Sequence, residues 1–481
     1  MELVTKKAMK CIQEADVIVY DNLIDISLLN YASLNTELIY AGKEAANHYL
    51  SQGSIIELLM DKAREGKYVV RLKGGDPYLF GRGSEEALAL KEAGISYEIV
   101  SGVTSSIAVP AYAGIPVTDR RFVSSCHIIT AHREDEAGID FENISKLEGT
   151  LVFMMGLAKL HHIVQGLTLH GKASDTPVAV LSDGSRYNRR KCVGTLADIE
   201  EKVKEAKLLP PAIIVVGEVV SLSNELDNFL ERYSDKKLFR KKILLTGTRY
   251  ICHKIKAALA DEGCDIDEIS IIESVPIESD FYNNIEKYIE SHDYLVFSSA
   301  NGIRVFFEKL KELHNVDLRK LSNIKFAVIG KGSAQTLRNY GYIADFVPSS
   351  FSNKDLAVEL CKQLKGEKLL LLRAREASAE LVEELEANKV EYTDVSLYET
   401  FRDYRRTFDI KRLIKNYDYV VVASSITAHT LCEMVEDKAV LEGRVVSIGP
   451  VTTGTCKRLG VEPLMSAREY SVDGIVRVLL Q

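Results

Sequence analysis

"VVRLKGGDPYLFGRGSEE", residues 69–86, decides the fold. Val69–Leu72 reads as an apolar strand, and Gly74-Gly75 then permit a turn and close approach of backbone to a ligand. Asp76-Pro77 set the loop exit, and Gly81-Arg82-Gly83 lead into a helix with Glu85 and Glu86 in its first turn, where the dipole favours acids. A strand entering a Gly-rich loop and then a helix is the unit of parallel α/β architecture, whose ligands sit beyond the carboxyl ends of strands. On spacing alone the loop is equally a plain turn or a ligand cradle.

The same alternation continues in both directions. "TLVFMM", "TPVAVL", "AIIVVG", "KILLTG", "DYLVFSS", "KFAVIG", "KLLLLR", "DYVVVASS" and "RVVSIG" are apolar runs separated by amphipathic stretches. Such runs predict mostly parallel sheets buried on both faces. At 481 residues the chain has room for several domains of about 150 residues each. A charged stretch at 222–242, "LSNELDNFLERYSDKKLFRKK", reads as a helix without a strand and places a boundary near residue 235. One continuous α/β enzyme with a surface helix there is the alternative. Upstream, residues 2–14 read as a helix and "DVIVYD" (16–21) as a strand, so the chain opens on a helix with no strand before it.

Composition excludes several classes. A formal charge of −8 opposes general nucleic-acid binding, which needs a basic face. No run approaches the ~20 apolar residues of a membrane span, and no signal-peptide pattern is present, so a cytoplasmic protein without membrane partners is expected. The eight cysteines form no C-x-x-C pair, which predicts reduced thiols. Ten histidines without ligand spacing predict no metal. "TGTR" (246–249) lacks the rest of a dinucleotide fingerprint.

The second half repeats itself. "IGKGSAQTLRNYG…" from 329 aligns without a gap to "IGPVTTGTCKRLG…" from 448, matching Ile329/Ile448, Gly330/Gly449, Thr336/Thr455, Gly341/Gly460, Phe351/Tyr470, Ser352/Ser471 and Leu360/Leu479. Upstream, "LVFSSANGI" (295–303) parallels "VVASSITAH" (421–429). Two similar lobes facing each other make a cleft with hydroxyls and helix N-termini on both walls. The Ser-Ser pairs read as helix caps, as ligand contacts, or both.

In the first half, "RLKGGDPYLFGRGSEE", "SGVTSSIAVPAYAGIPVTDR", "TLVFMMGL", "TPVAVLSDGS" and "PPAIIVVGEVVSL" occur in order over residues 2–222. In this they resemble the uroporphyrinogen-III C-methyltransferases of the tetrapyrrole methylase superfamily. The resemblance implies transfer of two methyl groups from S-adenosylmethionine to uroporphyrinogen III, giving precorrin-2. It also implies a homodimer through this half. The family's cofactor contacts fall on Gly74, Gly75, Asp76, Leu79, Thr104, Ser105, Met155, Gly184 and Ala212. Its proton acceptor falls on Asp21 and its donor on Lys43, both at carboxyl ends of predicted strands. The residues alone read Thr104 and Asp21 as helix N-caps as readily. A polycarboxylate substrate needs cations, for which Arg71, Arg82, Arg120, Arg121 and "RYNRRK" (186–191) are candidates.

Residues 242–481 resemble uroporphyrinogen-III synthase in "ILLTGTR", "DYLVFSSANGIRVFF", "FAVIGKGSAQTLRNYG", "VSLYET", "DYVVVASS" and "VVSIGPVTTGTCKRLG". That resemblance implies closure of hydroxymethylbilane with inversion of the last pyrrole, by differential binding of a bent substrate. Tyr398 is the implied aid to the leaving hydroxyl, with Ser298, Ser299, Asn301, Ser333 and Thr452 in substrate binding. The synthase makes what the methyltransferase consumes.

The expected architecture is therefore α/β throughout. A methylase domain (1–230, subdomains about 1–108 and 109–230) is followed by a linker (231–241) and a bilobal synthase domain (242–481). Lobe one is expected at about 242–275 plus 401–481, and lobe two at 276–400. Asn22 stands where the methyltransferases usually have Arg, Ser84 and Ser101 where Gly and Pro are usual, and Asp119 where His is common. A cation lost at 22 and an anion gained at 119 both weaken hold on a polycarboxylate. The family also has a strand and a G-x-G-P-G-D loop before "ELVTKKAMK", on the order of 15 residues expected upstream of Met1. A start codon placed too far downstream is the expected cause. A synthase carrying a truncated methylase as a docking module is the alternative reading.

Overall fold

The computed structural model describes residues 2–42, 50–132, 138–313, 317–350 and 352–481. Among them, short β-branched runs pair into four sheets. In the first, β1 (Val17–Tyr20) is buried at every residue and lies between β2 (Glu37–Tyr40) and β3 (Val69–Leu72), all parallel. The second joins β4 (Cys126–Thr130), β5 (Thr150–Met154), β6 (Pro177–Ser182), β7 (Arg190–Thr195) and β8 (Ala212–Val216) in the order β4-β5-β8-β6-β7. It is mixed rather than parallel, because β8 runs antiparallel to both β5 and β6.

The other two sheets interleave along the chain. β9 (Lys242–Gly247) and β10 (Asp265–Ser270) begin one of them. β11 (Ile272–Pro276), β12 (Tyr294–Phe297), β13 (Lys325–Val328), β14 (Leu369–Ala374) and β15 (Tyr392–Arg402) make the other, in the order β11-β15-β14-β12-β13. β16 (Tyr419–Val422), β17 (Val445–Ser447) and β18 (Met465–Ser466) then return to the first, in the order β10-β9-β16-β17-β18. The crossings between these two sheets fall side by side, from β10 into β11 and out of β15, and β11 pairs antiparallel with β15.

Three local expectations change. The helix expected over 2–14 runs Lys6–Glu14, because Thr5 caps it by accepting from the Ala8 amide at 3.2 Å. The charged stretch after 222 is two short helices, Ser223–Leu226 and Phe229–Tyr233, not one. Asp227 separates them: its carboxylate accepts from the Phe229 amide at 3.1 Å and faces Lys191 Nζ at 2.7 Å, competing with the helical backbone. The segment leading into "VSGVTSS" (100–106), a stretch that reads as a strand exit, joins no ladder among the described residues. A strand needs a partner for its amides and carbonyls, and β3 pairs among the described residues with β1 alone.

The repeat is plain in three dimensions. β13 leads into the helix Lys331–Asn339 and β17 into the helix Pro450–Arg458. Ser352 and Ser471 cap the helices that follow, Asn353–Cys361 and Val472–Leu479. Phe351, the remaining member of that part of the alignment, lies outside the described residues. The Ser-Ser pairs are offset by one residue: the caps are Ser299, accepting from Gly302 N at 3.0 Å, and Ser424, accepting from Thr427 N at 3.1 Å.

One apolar core crosses the middle of the chain. Ile12, Ile18, Leu28 and Leu29 pack with Leu244, Ile269, Ile410 and Val420, so the first sheet and the β9 sheet share their interior. Among the described residues no helix is long and apolar enough to cross a membrane.

Candidate active sites

Parallel register brings Tyr20, Tyr40 and Leu72 level, so the residues after β1, β2 and β3 leave one edge of the sheet together. Asp21 emerges there. Its Oδ2 lies 3.2 Å from Arg71 Nη2, and its Oδ1 accepts from the Leu23 amide at 3.0 Å. The second bond closes a turn, not a helix; the next helical turn, Ile26–Tyr31, is capped by Asp25. Arg71 donates further to the Leu72 carbonyl at 2.9 Å and the Val19 carbonyl at 3.3 Å, and faces Glu86 at 3.5 Å. Glu86 also accepts from Lys73 Nζ at 3.2 Å and Gln52 Nε2 at 3.0 Å. Burial, with the charge of Arg71 beside it, lowers the Lys73 pKa. Arg71, expected as a grip on substrate, is thus held between two carboxylates of its own chain. Glu86, a helix-dipole residue by its sequence position, is 5% exposed and holds the network together.

The two loops of this half interlock. A Cβ on Gly102 would stand 2.2 Å from the Gly75 carbonyl, and Gly75 itself has φ +78°. Asp76 accepts from the Gly102 amide at 3.1 Å and the Tyr78 amide at 2.9 Å, so it ties loop to loop. Thr104 caps the helix Ser105–Tyr112 through Ser106 N at 3.4 Å. In the second sheet, antiparallel β8 places Ala212 opposite Ser182, and Ile213 opposite Met154. Met155, Gly184 and Ala212 therefore converge at the edge where β5 and β6 end. Met155 holds a left-handed backbone, φ +55°, with half its surface exposed, a conformation that a non-glycine residue adopts at some cost.

A cavity of about 3190 Å³ is lined by Asp21, Arg71, Gly74, Gly75, Leu79, Arg82, Ser105, Met155, Gly184 and Ala212. The same cavity runs on between the two halves of the chain, past Arg186, Arg189, Asp267, Arg412 and Tyr417. Asp76 and Thr104 support the wall without lining it. Arg82 reaches Glu85 with both guanidinium arms at 2.8 Å. Arg120 is exposed and outside the cavity, next to an Asp119 that the Arg121 guanidinium holds at about 2. The "RYNRRK" run is turned toward the second half of the chain: Arg186 faces Asp267 at 3.4 Å, and the Tyr187 and Asn188 amides donate to Asp265 at 2.8 and 3.2 Å. Lys43 lies outside the described residues.

In the second half, Tyr398 sits on β15 with 5% of its surface exposed and its hydroxyl 2.8 Å from Ser299 Oγ. Burial raises its pKa above the usual tyrosine value. Ser298 follows β12, and Asn301 accepts from Arg304 Nη2 at 3.2 Å. Ser333 and Thr452 are each the third residue of their helix, buried, one on either repeat. Free amides in a first turn attract anions. Among the described residues no group of three or more His, Cys, Asp or Glu is placed to hold a metal ion.

Comparison with known proteins agrees with this division. Residues 1–200 match the family model of Tetrapyrrole (Corrin/Porphyrin) Methylases, and residues 253–477 match that of Uroporphyrinogen-III synthase HemD. The Porphyrin biosynthesis protein HemD of Ruminiclostridium josui is 34% identical over 486 residues, covering 100% of this chain and 95% of that one. A Uroporphyrinogen-III C-methyltransferase of Methanocaldococcus jannaschii is 49% identical over 223 residues, 46% of this chain and 92% of that one. An S-adenosyl-L-methionine-dependent uroporphyrinogen III methyltransferase of Methanosarcina barkeri is 50% identical over 228 residues, 47% of this chain and 89% of that one. Matched along its whole length by one such relative, the chain belongs to the family that fuses a uroporphyrinogen-III C-methyltransferase of the tetrapyrrole methylase superfamily to a uroporphyrinogen-III synthase.

Proposed function

We propose that Asp21, Lys43 and Tyr398 carry the proton chemistry of a bifunctional enzyme. The chain is a uroporphyrinogen-III synthase, closing hydroxymethylbilane to uroporphyrinogen III, and an S-adenosylmethionine-dependent methyltransferase that converts this product to precorrin-2. The observation that carries the reading is convergence: Asp21, both glycine-bearing loops, Met155, Gly184 and Ala212 meet at one cavity.

The cavity fits S-adenosylmethionine by its chemistry. Gly74 and Gly75 let backbone approach, Leu79, Met155 and Ala212 offer apolar walls for a flat base, and Ser105 and Gly184 offer polar atoms at the rim. When bound, S-adenosylmethionine supplies an electrophilic methyl group. The chain's work is then alignment of the pyrrole carbon with that group. Asp21, oriented by Arg71, accepts the ring proton released as the macrocycle rearranges, and Lys43 returns one. At the second site Tyr398, kept protonated by burial, hydrogen-bonds the departing hydroxyl while the repeats hold the propionate and acetate arms. Of the original candidate cations, Arg71, Arg82, Arg186 and Arg189 line the cavity, and their guanidinium groups support contact with substrate carboxylates.

Supplying hydroxymethylbilane and S-adenosylmethionine to the full chain is expected to yield precorrin-2. Accumulation of uroporphyrinogen III alone sinks the methyltransferase assignment. Formation of only the symmetric isomer sinks the synthase assignment. Asp21→Asn is expected to stop the sequence at uroporphyrinogen III, with S-adenosylhomocysteine still bound.

A further inference from the structure

The carboxyl ends of β1 and β2 are not held by the methyltransferase half alone. Tyr20, the last residue of β1, is 2% exposed, and its hydroxyl donates to both carboxylate oxygens of Asp409 at 3.1 Å. Asp409 belongs to the helix Thr407–Leu413 of the synthase half and is completely buried. Its charge is balanced by Arg406 Nε at 3.2 Å and Arg412 Nη2 at 3.4 Å. Arg406, 1% exposed, continues into the methyltransferase half through Asn30 Oδ1 at 2.7 Å and the Ile26 carbonyl at 3.2 Å. Arg412 donates to Asn22 Oδ1 and stacks over the Tyr40 ring at 4.7 Å, and Tyr40 packs on Phe408 with centroids 4.8 Å apart. One short helix thus grips Tyr20 and Asn22, the residues on either side of Asp21, and Tyr40, the last residue of β2.

Side chains alternate along a strand, so Tyr20 points into this seam while Asp21 turns toward the cavity. A hydrogen-bonded ion network shielded from water is rigid in both halves at once. We propose that Asp409 and Arg412 of the synthase half are positioning residues for methyl transfer, setting the orientation of the loop that carries Asp21. The inference rests on methyl transfer taking place at the cavity that this loop lines. It goes beyond it in assigning part of the methyltransferase site to the other enzyme of the chain. Asp409 lies outside the cavity lining and acts through Tyr20, whereas Arg412 lines the cavity beside Asn22 and orients the loop through Asn22 and Tyr40.

The test uses the full chain and three readouts: kcat and KM for methyl transfer to uroporphyrinogen III, the rate of uroporphyrinogen III formation from hydroxymethylbilane, and S-adenosylhomocysteine affinity by calorimetry. Tyr20→Phe removes one oxygen and leaves the Asp409–arginine pairs in place. Asp409→Asn removes the charge, and Arg412→Lys keeps a cation while losing the fork. A misplacement near 1 Å is enough to slow a positioned reaction by about 100-fold, so Tyr20→Phe and Asp409→Asn are expected to lower the methyl-transfer kcat at least about tenfold. KM, cofactor affinity and synthase rate should stay within about twofold to threefold, and the double variant should be no slower than the slower single one. Arg412→Lys should recover part of the rate lost in Arg412→Ala.

A wild-type methyl-transfer kcat in Tyr20→Phe and Asp409→Asn overturns the proposal. So does parallel loss of methyl transfer, cofactor affinity and synthase rate, which marks the seam as scaffold only. Asp21→Asn separates the two readings. If it keeps full methyl transfer while Tyr20→Phe does not, Asp21 is not the base but the seam still positions the loop. If Asp21→Asn is inactive and the seam variants are not, the base stands and the positioning role fails.

Discussion

Tyr398 joins two properties that pull in one direction. Its hydroxyl is 2.8 Å from Ser299 Oγ, and its burial holds the proton on the oxygen. Removing that hydroxyl in Tyr398→Phe is expected to slow uroporphyrinogen III formation on the order of 100-fold, the lower end for a positioned proton donor. The sign of the pH effect follows from the raised pKa. The neutral hydroxyl persists below the ordinary value of 10.0 and is lost only as pH rises through the higher folded value. The tyrosinate absorbance that distinguishes wild type from Tyr398→Phe should therefore appear above pH 10, not below it. Tyr398 and Ser299 are legible in "VSLYET" and "FSSANG" through the resemblance to the synthases. Glu86 and Tyr20 are not, because an acid in a first helical turn and a tyrosine ending a strand look ordinary until tertiary contacts show what they face.

At the level of elements, the strands were the most legible part of the chain, since an apolar run of four to six residues between polar turns has few other homes. Ladder partners were harder. The segment leading into "VSGVTSS" reads as a strand exit and joins no ladder among the described residues, and β8 runs against its neighbours with no local signal of direction. The repeat shows the same limit. Sequence pairs Ser299 with Ser425, but the strands before them end at Phe297 and Val422, so the helix caps are Ser299 and Ser424. Ser424→Ala is expected to cost about 1 kcal/mol in urea unfolding, as loss of an N-cap does, and Ser425→Ala measurably less. Equal effects, or a larger one at 425, would return the cap to the position that sequence alone suggests. Ser425 instead receives a hydrogen bond from Thr455 Oγ1 at 3.0 Å, linking two helices of the same lobe.

Across the whole molecule, the two-family composition was legible and the seam was not. Ile12, Leu28 and Leu29 read as core residues of a methyltransferase; nothing local shows that they complete their packing against Ile269, Ile410 and Val420. Arg405 adds polar bonds at the same place, donating to the Ser33 and Thr36 carbonyls at 2.8 and 2.7 Å. The β12–β15 lobe has its own separate interior, built around Phe297, Phe306 and Leu370. Heating should therefore melt the first sheet together with the β9 sheet. S-adenosylhomocysteine at 100 times its Kd stabilises the state it binds by about 2.7 kcal/mol. That gain should raise the calorimetric transition containing both of those sheets. Two transitions divided at the sequence boundary near 235, with only the first shifted, would refute the joint unit. The apolar seam has a consequence for ancestry and for engineering alike. Halves that share an interior evolve as partners, so grafting in a foreign synthase would leave Ile12, Leu28 and Leu29 facing the wrong surface. A working chimera must exchange both sides of the seam, wherever the linker is cut.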